Sequence, residues 1–359
     1  MATSRTRTIS LFAGSAVLAA AALTVSAAAP ASADKPGSGS STGTGQIFKV
    51  NPVQSSGIQT LTDQKDSDAA VPLSEYTKVQ LRNLDGSGYL RGKWANVQSS
   101  TGTPAFSTSN TFIYTRNADQ FEQVMGYFWV NQAQEYLQSL GFGLTLPGIV
   151  HESFTIKIDQ YGGDNSYQTD KPYRIRLGKG GVDDAEDAEV IVHEYGHAVH
   201  ASQVPGYGAS LDAGSIGEAF GDYLGVTVGL AAAKEYGWPV KAPEACVADW
   251  DSVSYTSEEP HCLRRVDTDL TVADRKNEVH YDGKIWSRAL WDSRQYYQSS
   301  VPGGTRAWDT TLILSQFGYA PDTSFSAAAK ATYQAALQRD GETAAAAVKK
   351  AFNDRGITF

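Results

Sequence analysis

From Tyr76 onward the apolar residues fall into two rhythms. Val79 and Leu81 alternate with polar neighbours, the D-G-S-G run at 85–88 reads as a turn, and 89–97 resumes the alternation. Strands are predicted on both sides of that turn. Over 119–140 the spacing changes to that of a helix, with Phe121, Val124, Phe128, Ala133, Tyr136 and Leu140 on the apolar side and Gly141 as the stop. Phe154, Ile156 and Ile158 alternate again, as do Tyr173, Ile175 and Leu177, with a polar loop over 162–166 between them. These are predicted strands of a mixed sheet. Ala185, Ala188, Val192, Tyr195 and Val199 then recur at helical spacing; Asp183 or Asp184 can cap that helix and Pro205-Gly206 closes it. Beyond it the pattern is nearly all helix, over 216–230, 283–297, 306–317, 324–338 and 343–353. The pattern predicts an α+β chain. A sheet-containing N-terminal lobe covers 76–204, a mainly helical C-terminal lobe covers 205–359, and the 185–204 helix lies between them.

The first 75 residues show neither rhythm. Arg5 and Arg7 precede a small, apolar run over 11–29, and Ala31-Ser32-Ala33 is an A-x-A cleavage signal. This is the layout of a secretory signal peptide cut after Ala33. Residues 34–75 are rich in Gly, Ser, Thr and Asp, and 37–45 reads as flexible linker. Asn51-Pro52 and Val71-Pro72 break any regular element, so this segment is expected to be a leader or a short pro-segment.

Charge and cysteines narrow the picture. The formal charge is −9, and losing the two arginines of 1–33 makes it −11. That balance argues against nucleic acid as a partner, because phosphate binding is carried by Lys and Arg. After Ala33 no stretch is long and apolar enough to span a bilayer, so the processed chain is expected to be secreted and free of membrane anchors. Cys246 and Cys262 are the only cysteines. In an oxidising compartment a pair at this short separation is expected to form a disulfide.

The chemistry centres on H-E-Y-G-H, His193 to His197. Positions i and i+4 of a helix lie about 40° apart around its axis, so the two imidazoles stand side by side with Glu194 near the same face. Two neutral nitrogen donors with a base beside them suit a catalytic zinc, which takes a third protein ligand and leaves a position open. His200 lies about two turns from His193, too far to close on the same ion, and is expected to pack. The longer H-E-x-x-H-x-x-G-x-x-H pattern is excluded, because His200 and Gln203 occupy its last two fixed positions. Glu218 remains, in G-S-I-G-E-A-F-G-D ending at Asp222. Ile216, Ala219, Phe220 and Leu224, with Gly217 and Gly221, mark that helix as buried, and a buried carboxylate needs a partner. Glu218 is the expected third ligand. Asp222, four residues on and on the same face, is expected to accept the second N–H of a ligating histidine.

H-E-Y-G-H-A-V-H followed by G-E-x-x-x-D about twenty residues on resembles the gluzincin metallopeptidases, the thermolysin-like enzymes. The similarity is greatest to the fungalysin family in its bacterial secreted form. It extends over V-H-Y-D-G-K-I-W-S-R-A-L-W at 279–291, the helix at 121–142, Ser324-Phe325 and A-F-N-D-R-G at 351–356. The resemblance implies a thermolysin-like zincin fold and a secreted endopeptidase with one zinc ion and peptide or protein substrates. Zinc would lower the pKa of a water and Glu194 would take its proton. By the same resemblance His280 would donate to the developing oxyanion, Asn165 would hydrogen-bond substrate backbone, and Arg265 would bind the carbonyl after the scissile bond. The acidic run Asp183, Asp184, Glu186, Asp187 could bind Ca²⁺ as in relatives, or simply favour the helix N-terminus. Relatives usually carry a long pro-region, whereas about forty residues separate Ala33 from the first expected strand. His151 and His261 carry no motif and receive no role. The alternative function is a secreted binding protein that keeps zinc only as a structural ion.

Overall fold

The strongest rhythms become elements with small shifts at their ends. In the computed structural model, which describes residues 41–99, 103–160, 162–170 and 173–359, the aromatic helix runs Asp119–Ser139 and the H-E-Y-G-H helix Ala188–Gln203. The signal-peptide reading of 1–33 lies outside the described residues.

Nine strands and eight α-helices are found among the described residues. The strands are β1 (Ser41–Phe48), β2 (Tyr76–Leu84), β3 (Ala95–Ser99), β4 (Thr111–Phe112), β5 (Phe154–Ile158), β6 (Tyr167–Asp170), β7 (Tyr173–Arg176), β8 (Cys246–Val247) and β9 (Arg264–Arg265). The helices are α1 (Pro52–Ser56), α2 (Asp119–Ser139), α3 (Ala188–Gln203), α4 (Leu211–Tyr236), α5 (Val279–Ser300), α6 (Gly304–Gln316), α7 (Phe325–Asp340) and α8 (Glu342–Asp354). One sheet has the order β2-β1-β4, with β1 antiparallel to β2 and parallel to β4. A second has the order β3-β5-β7-β6: three parallel strands with β6 antiparallel on the edge. Strands β8 and β9 form a small ribbon. The result is the expected α+β fold, a sheet-bearing half followed by a helical half, and the described residues belong to one compact unit.

Packing explains the order. In β5, Phe154, Ile156 and Ile158 are fully buried while the residues between them are half-buried, as period-2 alternation requires. Helix α2 is buried nearly all round, between both sheets and α3, and carries buried Glu122, Gln123, Asn131, Gln132 and Gln134 among its apolar residues. Helix α4 packs against α3 on one side and α5 on the other, which places it at the centre of the helical half. The disulfide joins Cys246 on β8 to Cys262 just before β9. No helix among the described residues is long and apolar enough to cross a membrane.

Three expectations are corrected. Residues 41–45, part of the stretch read as flexible linker, lie in β1, which pairs along its length with β2, and Ile47 and Phe48 are fully buried. Its glycines serve close packing: a Cβ at Gly45 would lie 2.7 Å from Val124 and 2.9 Å from Leu81. The cap of α3 is Asp187, whose side chain accepts from Glu189 N–H, because Asp184–Glu186 first make a separate 3₁₀ turn. Residues 89–92 contribute only isolated bridges, and the regular strand starts at Ala95.

Candidate active site

Helices α3 and α4 cross closely because neither carries bulk at the crossing. A Cβ on Gly196 would lie 3.0 Å from Gly221 Cα, and one on Gly221 would lie 2.7 Å from His193 Nδ1. This proximity brings the α4 carboxylates onto the α3 imidazoles. His193 Nε2 is 3.1 Å from His197 Nε2 and 3.3 Å from Glu218 Oε2, and His197 Nε2 is 3.5 Å from Glu218 Oε1. One ligand atom from each of the three side chains lies within 4.8 Å of the others.

The set fits a zinc ion on its own chemistry. Asp222 Oδ1 sits 2.8 Å from His193 Nδ1, which makes that nitrogen the donor and leaves Nε2 as the lone-pair atom facing His197. Two imidazole lone pairs and a carboxylate converging in a buried space require a positive charge between them. Glu218 Oε2 is moreover buried without a hydrogen-bond partner. The two imidazoles are shifted in opposite directions. Burial pulls His197 down to about 4, so its imidazole is neutral. Burial also opposes charge on His193, but the carboxylates of Asp222 and Glu218 outweigh it and push that imidazole up to about 10. Against its own burial, the Glu218 carboxyl is held below the ordinary range by His197, His193 and His280.

Glu194 stands apart from the ligand set. It is buried beside the three ligands, lines the same cleft, and its Oε2 has no hydrogen-bond partner. Burial pushes its carboxyl up to about 7, with Glu218 and Asp184 adding and His193 and Arg264 opposing. His280, in the first turn of α5, places Nε2 3.4 Å from Glu218 Oε2 and Nδ1 2.7 Å from Glu278 Oε1. Each ring nitrogen faces a carboxylate, and the ring is more than half exposed. The cleft itself has a volume of about 670 Å³ and is also lined by Asn165, Ser166 and β6 residues Tyr167, Gln168 and Thr169.

His193, Glu194, His197, Glu218, Asp222, His280 and Asn165 therefore meet in one region. Arg265 does not. Its guanidinium is engaged by Asp267, at 2.7 and 2.8 Å, and it does not line the cleft. Arg264 faces the site instead and grips Asp222 with two bonds, Nε to Oδ2 at 2.7 Å and Nη2 to Oδ1 at 2.6 Å. Consecutive residues of a strand point to opposite faces, so the one-residue choice on β9 inverts the role. The usable signal was Asp267, two residues beyond Arg265 and hence on its face. Asp222 is held below the usual carboxylate range, at about 2, because Arg264 and His193 outweigh its burial. His200 packs as expected, its ring 4.5 Å from Phe220 and 4.4 Å from Tyr207.

The acidic run 183–187 is divided among separate partners. Glu186 is bound by Arg116 and by Trp250 Nε1, Asp187 caps α3, and Asp183 lies 3.6 Å from Lys179 Nζ. Only Asp184 belongs to a group of carboxylates that could share an ion, with Asp164 and Asp251.

No family model matches the sequence, and no curated protein matches it. Among solved structures, the fold is similar to that of the precursor of protealysin, a metalloproteinase from Serratia proteamaculans, with a TM-score of 0.53 and 16% identity over 73% of this chain and 87% of that one. At that identity the likeness establishes the fold, a thermolysin-like metalloprotease arrangement of a small sheet lobe and a helical lobe.

Proposed function

We propose that this chain is an exported zinc-dependent endopeptidase of the gluzincin type, within the thermolysin-like group and similar to the fungalysin family in its bacterial secreted form. His193, His197 and Glu218 would hold the ion. When bound, zinc supplies a Lewis acid that polarises a peptide carbonyl and acidifies a water. The chain's own residues do the rest. Asp222 keeps the His193 ring turned with Nε2 inward, and Arg264 keeps Asp222 in place. Glu194 takes the proton of the attacking water and can return it to the leaving amine. His280 Nε2 donates to the oxygen that gains negative charge. Asn165 and the edge of β6 offer hydrogen bonds to an extended substrate backbone laid along the cleft.

The observation that carries this reading is Glu194. A site that held zinc only for stability has no use for a buried, unpartnered carboxylate opening on the same cleft as the ligands. In Glu194→Gln the three ligands are intact, so metal analysis should find about one zinc per chain as in the wild type. Peptide hydrolysis should fall by at least ~10²-fold, the low end of what a positioned base contributes. If Glu194→Gln held zinc and kept full activity, Glu194 would not be the base. If the wild type held zinc and cleaved no peptide substrate, the structural-zinc binding protein would be the better reading.

A further inference from the structure

A second cavity, of about 1290 Å³ against about 670 Å³ for the active-site cleft, lies among α2, the end of α4, α5 and the start of α6. It shares no lining residue with that cleft. Leu230, Ala231, Ala233 and Trp238 give it an apolar side, where the Trp238 ring stacks on Tyr236 at 4.7 Å. An apolar hollow with a few fixed polar groups is the usual form of a small-molecule site. The decisive polar group here is Arg294.

Arg294, on α5, is 8% exposed and lines this cavity. Its Nη1 donates to the Tyr223 hydroxyl at 3.3 Å and to the Thr227 hydroxyl at 3.1 Å. Asp309 Oδ1 lies 3.7 Å from that same Nη1, beyond hydrogen-bond reach, and the two Asp309 oxygens already accept from the Tyr136 and Tyr223 hydroxyls. Among the described residues, Nε and Nη2 have no hydrogen-bond partner. Their N–H groups form the flat edge of the guanidinium that matches a carboxylate with two parallel bonds. A buried guanidinium with that edge unanswered is disfavoured unless an anion supplies the acceptors. The surroundings carry the same sign. Arg82 on the rim pairs with Glu135 and Glu235. Of the other charged lining residues, Lys234 and Arg306 form no ion pair among the described residues, against the single acid Glu244. No side chain caps α6, and its first residues Gly304 and Thr305 line the cavity, so the positive end of that helix adds to the field.

We propose that this cavity binds a small monocarboxylate with an apolar body, its carboxylate on the Nε and Nη2 edge of Arg294 and its body on the Trp238 side. The site is distinct from the active-site cleft but shares a helix with it. Helix α4 carries Glu218 and Asp222, and then Tyr223 and Thr227, the two residues that hold Arg294 Nη1. Carboxylate binding stands by itself and does not rest on the peptidase reading above.

The test titrates the full mature chain, zinc-loaded, with octanoate in calorimetry, below the concentration at which octanoate forms micelles. Octanamide, with the same body and no charge, and inorganic phosphate, an anion without the body, are the comparisons. Octanoate should bind once per chain and more tightly than either. Arg294→Gln leaves Asp309 its two tyrosine donors and should weaken octanoate roughly 10–100-fold, the loss expected of hydrogen bonds to a charged group, with zinc content unchanged. Thr305→Glu sets a carboxylate in the first turn of α6, where the helix tolerates it well. It should weaken octanoate and spare octanamide, and it gives the reading if Arg294→Gln does not fold. Absence of octanoate binding in the wild type overturns the proposal. So does unaltered affinity in every variant that folds, because the carboxylate then lies elsewhere, the zinc included. Octanamide binding as tightly as octanoate rejects the role of Arg294, and phosphate binding as tightly rejects the apolar body; either result overturns the assignment.

Discussion

The two ends of α3 are both buried and both crowded with ionisable groups, yet they differ in one respect. At the N-terminal end Glu186, Asp187 and Glu189 are answered by the protein, although Asp183, Asp249 and Asp251 nearby keep buried oxygens without a hydrogen bond. Glu186 is gripped by Arg116 Nε and Nη2 and by Trp250 Nε1, at 2.8 to 3.1 Å. Asp187 accepts from the backbone of Glu189, Trp250 and Asp251 and from Asn51. Glu189 accepts from Gln54 at 3.0 Å and Ala248 N–H at 2.7 Å. Two turns further on, His193 and His197 bring their Nε2 atoms to 3.1 Å of each other, and Glu194 and Glu218 each keep a buried oxygen without a hydrogen bond. Burial alone distinguishes nothing here. Satisfied buried charge marks a framework, and unsatisfied buried charge that opens on a cleft marks a place where something else must bind.

The largest effect expected from that difference is at Glu218. Glu218→Ala removes the only carboxylate of the ligand set, so zinc and peptidase activity should be lost together, read by metal analysis and by hydrolysis of an unstructured protein substrate. Retention of a full zinc complement would remove Glu218 from the ligand set. The matching change at the other end is Arg116→Met. It leaves Glu186 buried without its cation, which should cost about 3–5 kcal/mol of stability in denaturant unfolding. Zinc stoichiometry should not change. A variant that lost its metal while unfolding at the wild-type midpoint would show that the two ends are not separable in this way.

How much of this contrast the sequence displays depends on the physical range of each interaction. The imidazole pair and the Glu218–Asp222 pair are i,i+4 relations, and α2 to α8 follow from a local period, so both are visible in the chain alone. The fate of the acidic run is not. Asp183, Asp184, Glu186 and Asp187 look alike in the sequence; Lys179, the partner of Asp183, is only four residues away, but Asp164, Arg116 and Trp250, which meet the other three, are brought there by the tertiary fold. Strand β1 fails to stand out for the same reason. Its glycines suggest a flexible linker, whereas their lack of side chains is what lets the strand lie against Leu81 and Val124. The edge strand β6 was also missed, because Y-Q-T-D carries a single large apolar residue and borrows its order from β7.

A smaller effect should appear one layer out from the metal. Asp222→Ala leaves all three ligands but frees the His193 ring and strands Arg264, so zinc should bind roughly 10–100-fold more weakly. Competition with a chelator measures this. Unchanged affinity would mean that Asp222 orients no ligand.

The smallest effect separates the adjacent arginines of β9. Arg264 is half-buried and holds the carboxylate that holds His193, so Arg264→Ala should reproduce part of the Asp222 defect in zinc affinity. Arg265 is about one-third exposed and pairs with Asp267 two residues away, within its own strand end. Such pairs contribute about 0–1 kcal/mol, less at high salt. Arg265→Ala should therefore leave zinc affinity and KM within experimental error and lower the unfolding midpoint only slightly. KM is the telling quantity, because the family resemblance gave Arg265 a substrate carbonyl to bind. A several-fold rise in KM in Arg265→Ala, with zinc retained, would mean that its bond to Asp267 opens when substrate arrives. Unchanged KM there, together with a rise in Arg264→Ala, would assign substrate contact to the residue whose side chain already lies in the cleft.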